Sequence, residues 1–341
     1  VTGAAPATDV LVIGAGIAGL TAAARLRAAG RSVTVLDKGR GVGGRMATRR
    51  LGGGVFDHGA QFFTTPGSEL AGMADGWAAA GVVEPWFRGR LEPDGSLLPD
   101  GHVRWRGRRG MTDVAKHLAA GLDVRTGHRV TALRPVAEGP VRVWGAELDD
   151  GEELSASALV LTAPVPQTLD LLDAGGATLA PPDREELSAL AYHRCLAVLA
   201  ELDGPSGLPD PGARRLGGEP IEFVADNQIK GISPVPALTV HAGSLTSLEL
   251  WERGDADVVD ALLDAVPGLL ARPVENAVQV QRWRYARPVE CRPETFRILR
   301  GLPPAVLAGD IFGGPLVGGA ARSGAAAAGA VEHLLPNNHS E

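Results

Sequence analysis

Lysine is almost missing from this chain: Lys38, Lys116 and Lys230 stand against 30 arginines in 341 residues. Chemistry that needs an ammonium group therefore has three possible sources. Cysteine is as scarce, with only Cys195 and Cys291. Two thiols exclude a disulfide scaffold and a four-thiolate zinc site, and they read as buried free thiols. Tyr192 and Tyr285 are the only tyrosines, so the sequence identifies no tyrosine cage. There is no basic excess: a net charge of −7 argues against a nucleic-acid footprint. No apolar run is long enough to span a bilayer, so no membrane partner is expected. The stretch Val10 to Ala24 follows Asp9 rather than a basic segment, and glycines interrupt it. It does not read as a signal sequence, and a cytoplasmic location is expected. No internal repeat, Ser/His/Asp triad, metal-ligand spacing or phosphate loop with lysine is visible, so no metal is expected.

Glycine and proline are abundant, at 46 and 25 residues, without a collagen period. That excess reads as loops and close backbone approaches. With 45% hydrophobic and 21% charged residues the chain can build a sizeable core. Its length suggests one large or two interleaved domains.

The N-terminus, Val1 to Thr8, reads as frayed. Asp9 to Ile13 reads as a buried strand, Ile17 to Ala29 as a helix ending at Gly30, and Ser32 to Leu36 as a second strand, together a βαβ unit. At its first turn lies Gly14-Ala15-Gly16-Ile17-Ala18-Gly19, a G-x-G-x-x-G in the required strand–helix context, with Asp37 ending the next strand. Gly14 permits the tight turn, Gly16 lets a pyrophosphate approach the backbone, and Gly19 lets helix and strand pack. The helix N-terminus offers free N–H groups to the phosphate. Asp37 can accept hydrogen bonds from ribose hydroxyls.

Two more segments favour FAD over NAD. Gly43-Gly44-Arg45-Met46 can bring backbone and a guanidinium to the cofactor. Gly309-Asp310 closes a strand before the small-residue stretch Gly313 to Ala320. There a carboxylate can hold ribityl hydroxyls and a helix N-terminus can favour an anionic reduced ring. An N-terminal helix cap is the plain alternative for Asp310. Further strands are expected at 123–133, 141–148, 158–161, 197–202, 221–225, 237–242, 277–285 and 305–308. Helices are expected at 112–120, 258–263 and about 319–334. Ala163-Pro164-Val165-Pro166 breaks the pattern.

Asp37-Lys38, Gly43-Gly44-Arg45-Met46 and Asp57-His58-Gly59-Ala60-Gln61-Phe62 together resemble the flavin amine oxidase superfamily. Phe223 to Lys230, Thr239-Val240-His241 and Trp283-Arg284-Tyr285 are similar to stretches of its renalase group. The resemblance implies an α/β chain. A p-hydroxybenzoate-hydroxylase-like FAD domain, with a Rossmann-type βαβ unit and parallel sheet, is interleaved with a smaller α+β substrate domain. Residues 7–66, 109–168 and 302–335 are assigned to the first, and 67–108 and 169–301 to the second. The flavin ring would lie between them. The implied cofactor is non-covalent FAD. Its expected contacts are Gly14, Ala15, Gly16, Ile17, Ala18, Gly19, Asp37, Lys38, Gly44, Arg45, Met46, His58, Gly59, Ala60, Gln61, Phe62, Val130, Ala163, Gly309, Asp310, Val317, Gly318 and Ala320.

The resemblance also implies a small-molecule substrate, a dihydronicotinamide dinucleotide reduced at the 2 or 6 position. Its hydride would pass to flavin N5, and O2 would return the flavin to its oxidised state with release of H2O2. Such a donor needs positioning, stacking and water exclusion more than a general base, because the product pyridinium is aromatic. No catalytic residue is assigned. Asn227, His241, Trp283 and Tyr285 are substrate-pocket candidates: Trp283 and Tyr285 suit a flat ring, Asn227 suits a carboxamide and His241 a pocket wall. Their plain alternatives are core packing for Trp283, a turn for Asn227 and a satisfied core histidine for His241. An amine oxidase or desaturase acting on a secondary metabolite is the second reading, and a non-enzymatic flavoprotein the third. In the amine oxidases a lysine commonly faces flavin N5 through a water. By position only Lys230 is left for that, and it reads as a solvated turn residue.

Overall fold

The computed structural model describes residues 7–65, 68–138 and 141–336. Most of the expected frayed N-terminus, and the expected domain boundary at 66/67, lie outside the described residues. The chain forms two compact units. One comprises 1–44, 115–191 and 288–341, the other 45–114 and 192–287. Both are discontinuous in sequence. Compactness puts residues 45–66 and 109–114 with the second unit and 169–191 and 288–301 with the first, unlike the boundaries drawn from sequence.

The first unit is built on an eight-stranded sheet. Its apolar runs are parallel strands, as full burial demands. Thr8–Ile13 pairs with Val33–Asp37 on one side and Glu153–Leu161 on the other. Asp123–Thr126 and Ala305–Leu307 extend the sheet in parallel. Helix Ile17–Ala28 packs against the C-terminal helix Leu316–Leu334. A Cβ on Gly324 would lie 2.0 Å from the Ala18 carbonyl oxygen, so only glycine permits that approach. Val10, Val12, Leu20, Leu26, Val160, Val306, Ala327 and Val331 form the core beneath.

Two differences from the sequence reading have clear causes. The expected strand 123–133 is two strands, Asp123–Thr126 and Val130–Glu138, because Gly127 turns the chain with φ +76°. The second of them pairs antiparallel with Val141–Leu148. The break at Ala163 to Pro166 starts helix Val165–Ala174, with Pro164 as N-cap and Pro166 in its first turn, where a missing N–H costs nothing.

The second unit holds a five-stranded sheet in the order 213–215, 221–226, 237–242, 192–202, 273–288, its first four strands antiparallel. Alternation gives it two apolar faces. Leu196, Val198, Val224, Leu238 and Val240 pack with Trp251, Val258 and Leu262 of the helical side. Phe223 and Ala225, on the opposite face, meet Phe62, Trp86 and Phe87. The weakly patterned region 67–108 is helix Ser68–Ala79 and the hairpin Val83–Leu91/Leu97–Gly107.

Candidate flavin site

In the first unit the glycine turn has the geometry its spacing predicts. Gly14, at φ +112°, would drive a Cβ to 2.5 Å from Thr162 Oγ1, and a Cβ on Gly19 would sit 2.0 Å from the Gly14 carbonyl oxygen. These two glycines are packed from inside. Gly16 is different: it is the extended N-cap of the helix, with no side-chain cap, and a Cβ there meets nothing within 4 Å. The first N–H groups of a helix lack intrahelical partners, so Gly16 opens a donor-lined concavity that fits a pyrophosphate. Gly44 lies beside it, 3.6 Å from the Gly16 Cα when given a Cβ. The Gly43 N–H donates to the Ala15 carbonyl at 2.8 Å and fixes this loop.

Asp37 does more than await a ribose. Its Oδ2 accepts the Ala15 N–H at 2.6 Å and its Oδ1 the Gly39 N–H at 2.7 Å. Each oxygen keeps a lone pair for a hydroxyl. Lys38 is exposed and donates to Gln167 Oε1 at 3.1 Å. Val130 opens its strand and is buried. Ala163 follows the strand that ends at Leu161. Gly309 has a positive φ of +144°, a conformation that favours glycine, and its N–H donates to Ser323 Oγ at 2.8 Å. Asp310 is buried at the first position of the short helix Asp310–Gly313, so the cap position falls to Gly309. The long helix starts at Leu316, ahead of its expected start near 319, and takes in Val317, Gly318 and Ala320.

In the second unit Arg45 and Met46 lie in a short 3-10 turn, and Arg45 Nη1 donates to the Ala286 carbonyl at 3.1 Å. The loop from Asp57 to Gln61 is gripped on all sides. The Ala60 N–H donates to the Arg45 carbonyl at 2.8 Å, and a Cβ on Gly59 would lie 2.0 Å from that same oxygen. The His58 carbonyl accepts Trp283 Nε1–H at 2.8 Å and faces His241 Nε2 at 3.3 Å. The His58 and Trp283 rings are stacked, 5.2 Å apart and 8° from parallel. His58 Nδ1 is buried with no hydrogen-bond partner among the described residues. Burial holds the His58 imidazole down to about 4, helped by the positive charge of Arg49 and by His241. Burial likewise holds His241 down to about 4, against the His58 carbonyl and with Lys230. Both rings are neutral at pH 7.

Beneath this loop sits a residue that sequence reasoning misjudged. Lys230 is not a solvated turn residue: its side chain is 0% exposed. Its Nζ donates to Asp57 Oδ2 at 2.7 Å and Gln61 Oε1 at 3.1 Å, and lies 4.8 Å from the Trp86 ring centroid. Burial pushes its pKa down and the Asp57 carboxylate pulls it back up. Asp57 also accepts from the Met111 N–H at 2.8 Å and Thr48 Oγ1 at 2.6 Å, both on Oδ1. Nothing in the local sequence marks this burial: Ile229, next to Lys230, is 41% exposed.

Asn227 is also corrected. It is fully buried and its amide is spent on the fold: Nδ2 donates to the Ala237 carbonyl and Thr239 Oγ1, while Oδ1 accepts the Asp57 N–H at 3.4 Å. No donor is left for a substrate carboxamide. Tyr285 meets Tyr192 edge to face, with centroids 5.5 Å apart. The two tyrosines that looked unrelated in sequence are thus neighbours. Both cysteines are free thiols and half-buried. His128, Asp150 and Glu152 bring ligand atoms within 4.8 Å of one another at an open hairpin turn, and Glu152 also pairs with Arg125 at 3.4 Å. Among the described residues no helix is long and apolar enough to cross a membrane.

Known proteins match along the whole of this arrangement. Residues 12–77 match the NAD(P)-binding Rossmann-like domain, and residues 89–332 match the flavin containing amine oxidoreductase family. Putrescine oxidase of Kocuria rosea is 39% identical over 93 residues, 27% of this chain and 19% of that protein. The 4,4'-diapophytoene desaturase of Staphylococcus haemolyticus is 46% identical over 57 residues, 17% of this chain and 11% of that protein. The chain thus matches less than a fifth of the length of either curated relative. A provisionally assigned protoporphyrinogen oxidase from Exiguobacterium sp. 255-15 superposes with a TM-score of 0.69 at 15% identity, covering 97% of this chain and all of that one. That likeness establishes a shared fold. The chain belongs to the flavin-containing amine oxidoreductase family, and the open Gly16 concavity fits the pyrophosphate of the FAD that this family implies.

Proposed function

We propose that this chain oxidises dihydronicotinamide dinucleotides reduced at the 2 or 6 position, in the manner of the renalase group, with O2 as electron acceptor. Non-covalently held FAD would supply the two-electron acceptor for the hydride, with O2 as the final oxidant and H2O2 as its product. The residues proposed to hold it fall into two sets. Gly14 to Gly19 and Gly44 receive the pyrophosphate, Asp37 and Lys38 the adenosine end, and Val130, Ala163, Gly309, Asp310, Val317, Gly318 and Ala320 line the remainder in the first unit. On the second unit, taken by itself, the candidates are Arg45, Met46 and His58 to Phe62.

The observation that carries the reading is the character of the His58–Trp283 pair. The two flat rings are stacked, Trp283 Nε1 donates to the His58 backbone carbonyl, and the His58 and His241 imidazoles stay uncharged at neutral pH. Such a wall suits a flat heteroaromatic ring and offers no strong base. A dihydropyridine needs none, because hydride loss yields an aromatic cation directly. The only lysine of the second unit is locked onto Asp57 and Gln61, so no ammonium there is free to organise a water. Trp283 packs the donor ring and His241 closes the wall; Asn227 acts only through the fold.

A second reading is amine oxidation or desaturation. Two observations favour it: the Tyr192–Tyr285 edge pair, which can bound an aliphatic amine, and the partial likeness to putrescine oxidase and a carotenoid-type desaturase. Steady-state peroxide release separates the readings. The 2- and 6-dihydro isomers of NAD(P)H should give turnover well above that with putrescine or other amines. Faster turnover with amines would reject the first reading and establish the second.

A further inference from the structure

A buried ammonium is costly to keep. Removing a charge from water is compensated only by close pairing and hydrogen bonding. Lys230 meets that cost with one carboxylate, one amide oxygen and one aromatic face, and has no exposure left. Its two hydrogen-bond partners are not scattered. Asp57 begins the loop 57–61 and Gln61 ends it, so a single Nζ ties both ends together. Gln61 Nε2 also donates back to the Asp57 carbonyl, which closes a ring of polar contacts around the loop. The middle of the loop is held separately, by Arg45, Trp283 and His241. A lysine so occupied cannot face a reacting atom, and an apolar residue would fill the space more cheaply.

We propose that Lys230 is a positioning residue for the cofactor: acting through Asp57 and Gln61, it fixes the backbone of residues 57–61 in the conformation that meets the flavin. The proposal rests on the reading above that this loop contacts the flavin, and not on the identity of the substrate.

The test reads the bound flavin without turnover. Lys230→Met alone strands the Asp57 carboxylate and should melt earlier, which by itself shows only a structural role. Asp57→Asn with Lys230→Met removes both charges and should regain most of the lost melting temperature. Gln61→Met keeps the ion pair and loses only the loop contact. In the double variant and in Gln61→Met, FAD dissociation constants should rise about tenfold or more, and the visible circular dichroism of the bound flavin should change. Parent affinity and parent dichroism in Gln61→Met or in the stable double variant would overturn the proposal. Where the lysine variants do not fold, Gln61→Met decides. Gly59→Ala displaces the same loop through Arg45 and serves as the control. A changed flavin spectrum in Gly59→Ala but in no other variant rejects the role of Lys230 alone. No change in any variant rejects the loop's contact with the flavin as well.

Discussion

Replacing Gly16 with alanine should separate cofactor binding from folding, and Gly19→Ala should do the reverse. At Gly16 the backbone is extended, φ −80° and ψ 179°, which alanine adopts freely, and its Cβ would meet nothing within 4 Å. Alanine there narrows the unfolded ensemble but is a slightly poorer N-cap, so apoprotein stability should move by less than about 1 kcal/mol. The methyl group would, however, occupy the space into which a pyrophosphate must descend. Charge-assisted hydrogen bonds contribute about 1.5–3 kcal/mol each. Losing one of them raises the FAD dissociation constant roughly ten- to 150-fold. At Gly19 the added Cβ would lie 2.0 Å from the Gly14 carbonyl oxygen and 3.0 Å from Thr162 Oγ1. Backbone must shift there, at a cost of about 1–3 kcal/mol. For a domain of this size that lowers the melting temperature by about 2–4 °C per kcal/mol. Thermal melts of the two apoproteins and FAD titration by fluorescence quenching measure both quantities. Parent-like FAD affinity in Gly16→Ala would refute the phosphate cradle, and a parent-like apoprotein melt in Gly19→Ala would refute the packing argument.

The histidine pair predicts a pH signature. His58 and His241 both fall to about 4 in the folded chain from 6.5. Between those values the unfolded state binds more protons, so stability rises with pH. Their contribution is complete above about 6.5 and is lost as pH falls toward 4. Urea midpoints measured from pH 7 to pH 4.5 should decline, and His58→Phe should flatten that decline; an unchanged slope would show that His58 is not held neutral. Burial pushes the Cys195 thiol up to about 12, so it should resist iodoacetamide at pH 8 in the native state and react once unfolded. Rapid native labelling at Cys195, read by peptide mass mapping, would contradict so high a thiol pKa. Trp283→Leu removes the ring that His58 stacks on and the Nε1 donor to its carbonyl. It should raise KM about tenfold or more, the loss of a stacking contact and one hydrogen bond, while an unchanged KM would place the substrate elsewhere.

The first unit was the more legible because its signals are local. A strand, a glycine turn, a helix and an acid follow one another within the first forty residues, and each performs a backbone task that few other residues can. The C-terminal helix was legible for the same reason, through its run of alanine and glycine. Prolines misled where they start a helix rather than end one, at Pro164 and Pro166. The second unit was harder because its decisive contacts are long-range. Lys230 lies 173 residues from Asp57, and Trp283 lies 225 from His58. Neither partner carries a local mark of the other. Asn227 shows the opposite error: a residue with the right functional groups for a carboxamide uses all of them to hold Asp57, Ala237 and Thr239. Hydrogen-bond capacity can be read from a residue type, whereas its use depends on what the fold brings alongside.

Anaerobic mixing of the FAD-loaded protein with 2- or 6-dihydro-NAD(P), followed by loss of the flavin absorption, tests the proposed chemistry most directly. Rapid bleaching by at least one of these isomers, faster than by any amine or by ordinary 4-dihydronicotinamide, is the expected result. A flavin that stays oxidised with both isomers while an amine or an alkene bleaches it would contradict the assignment.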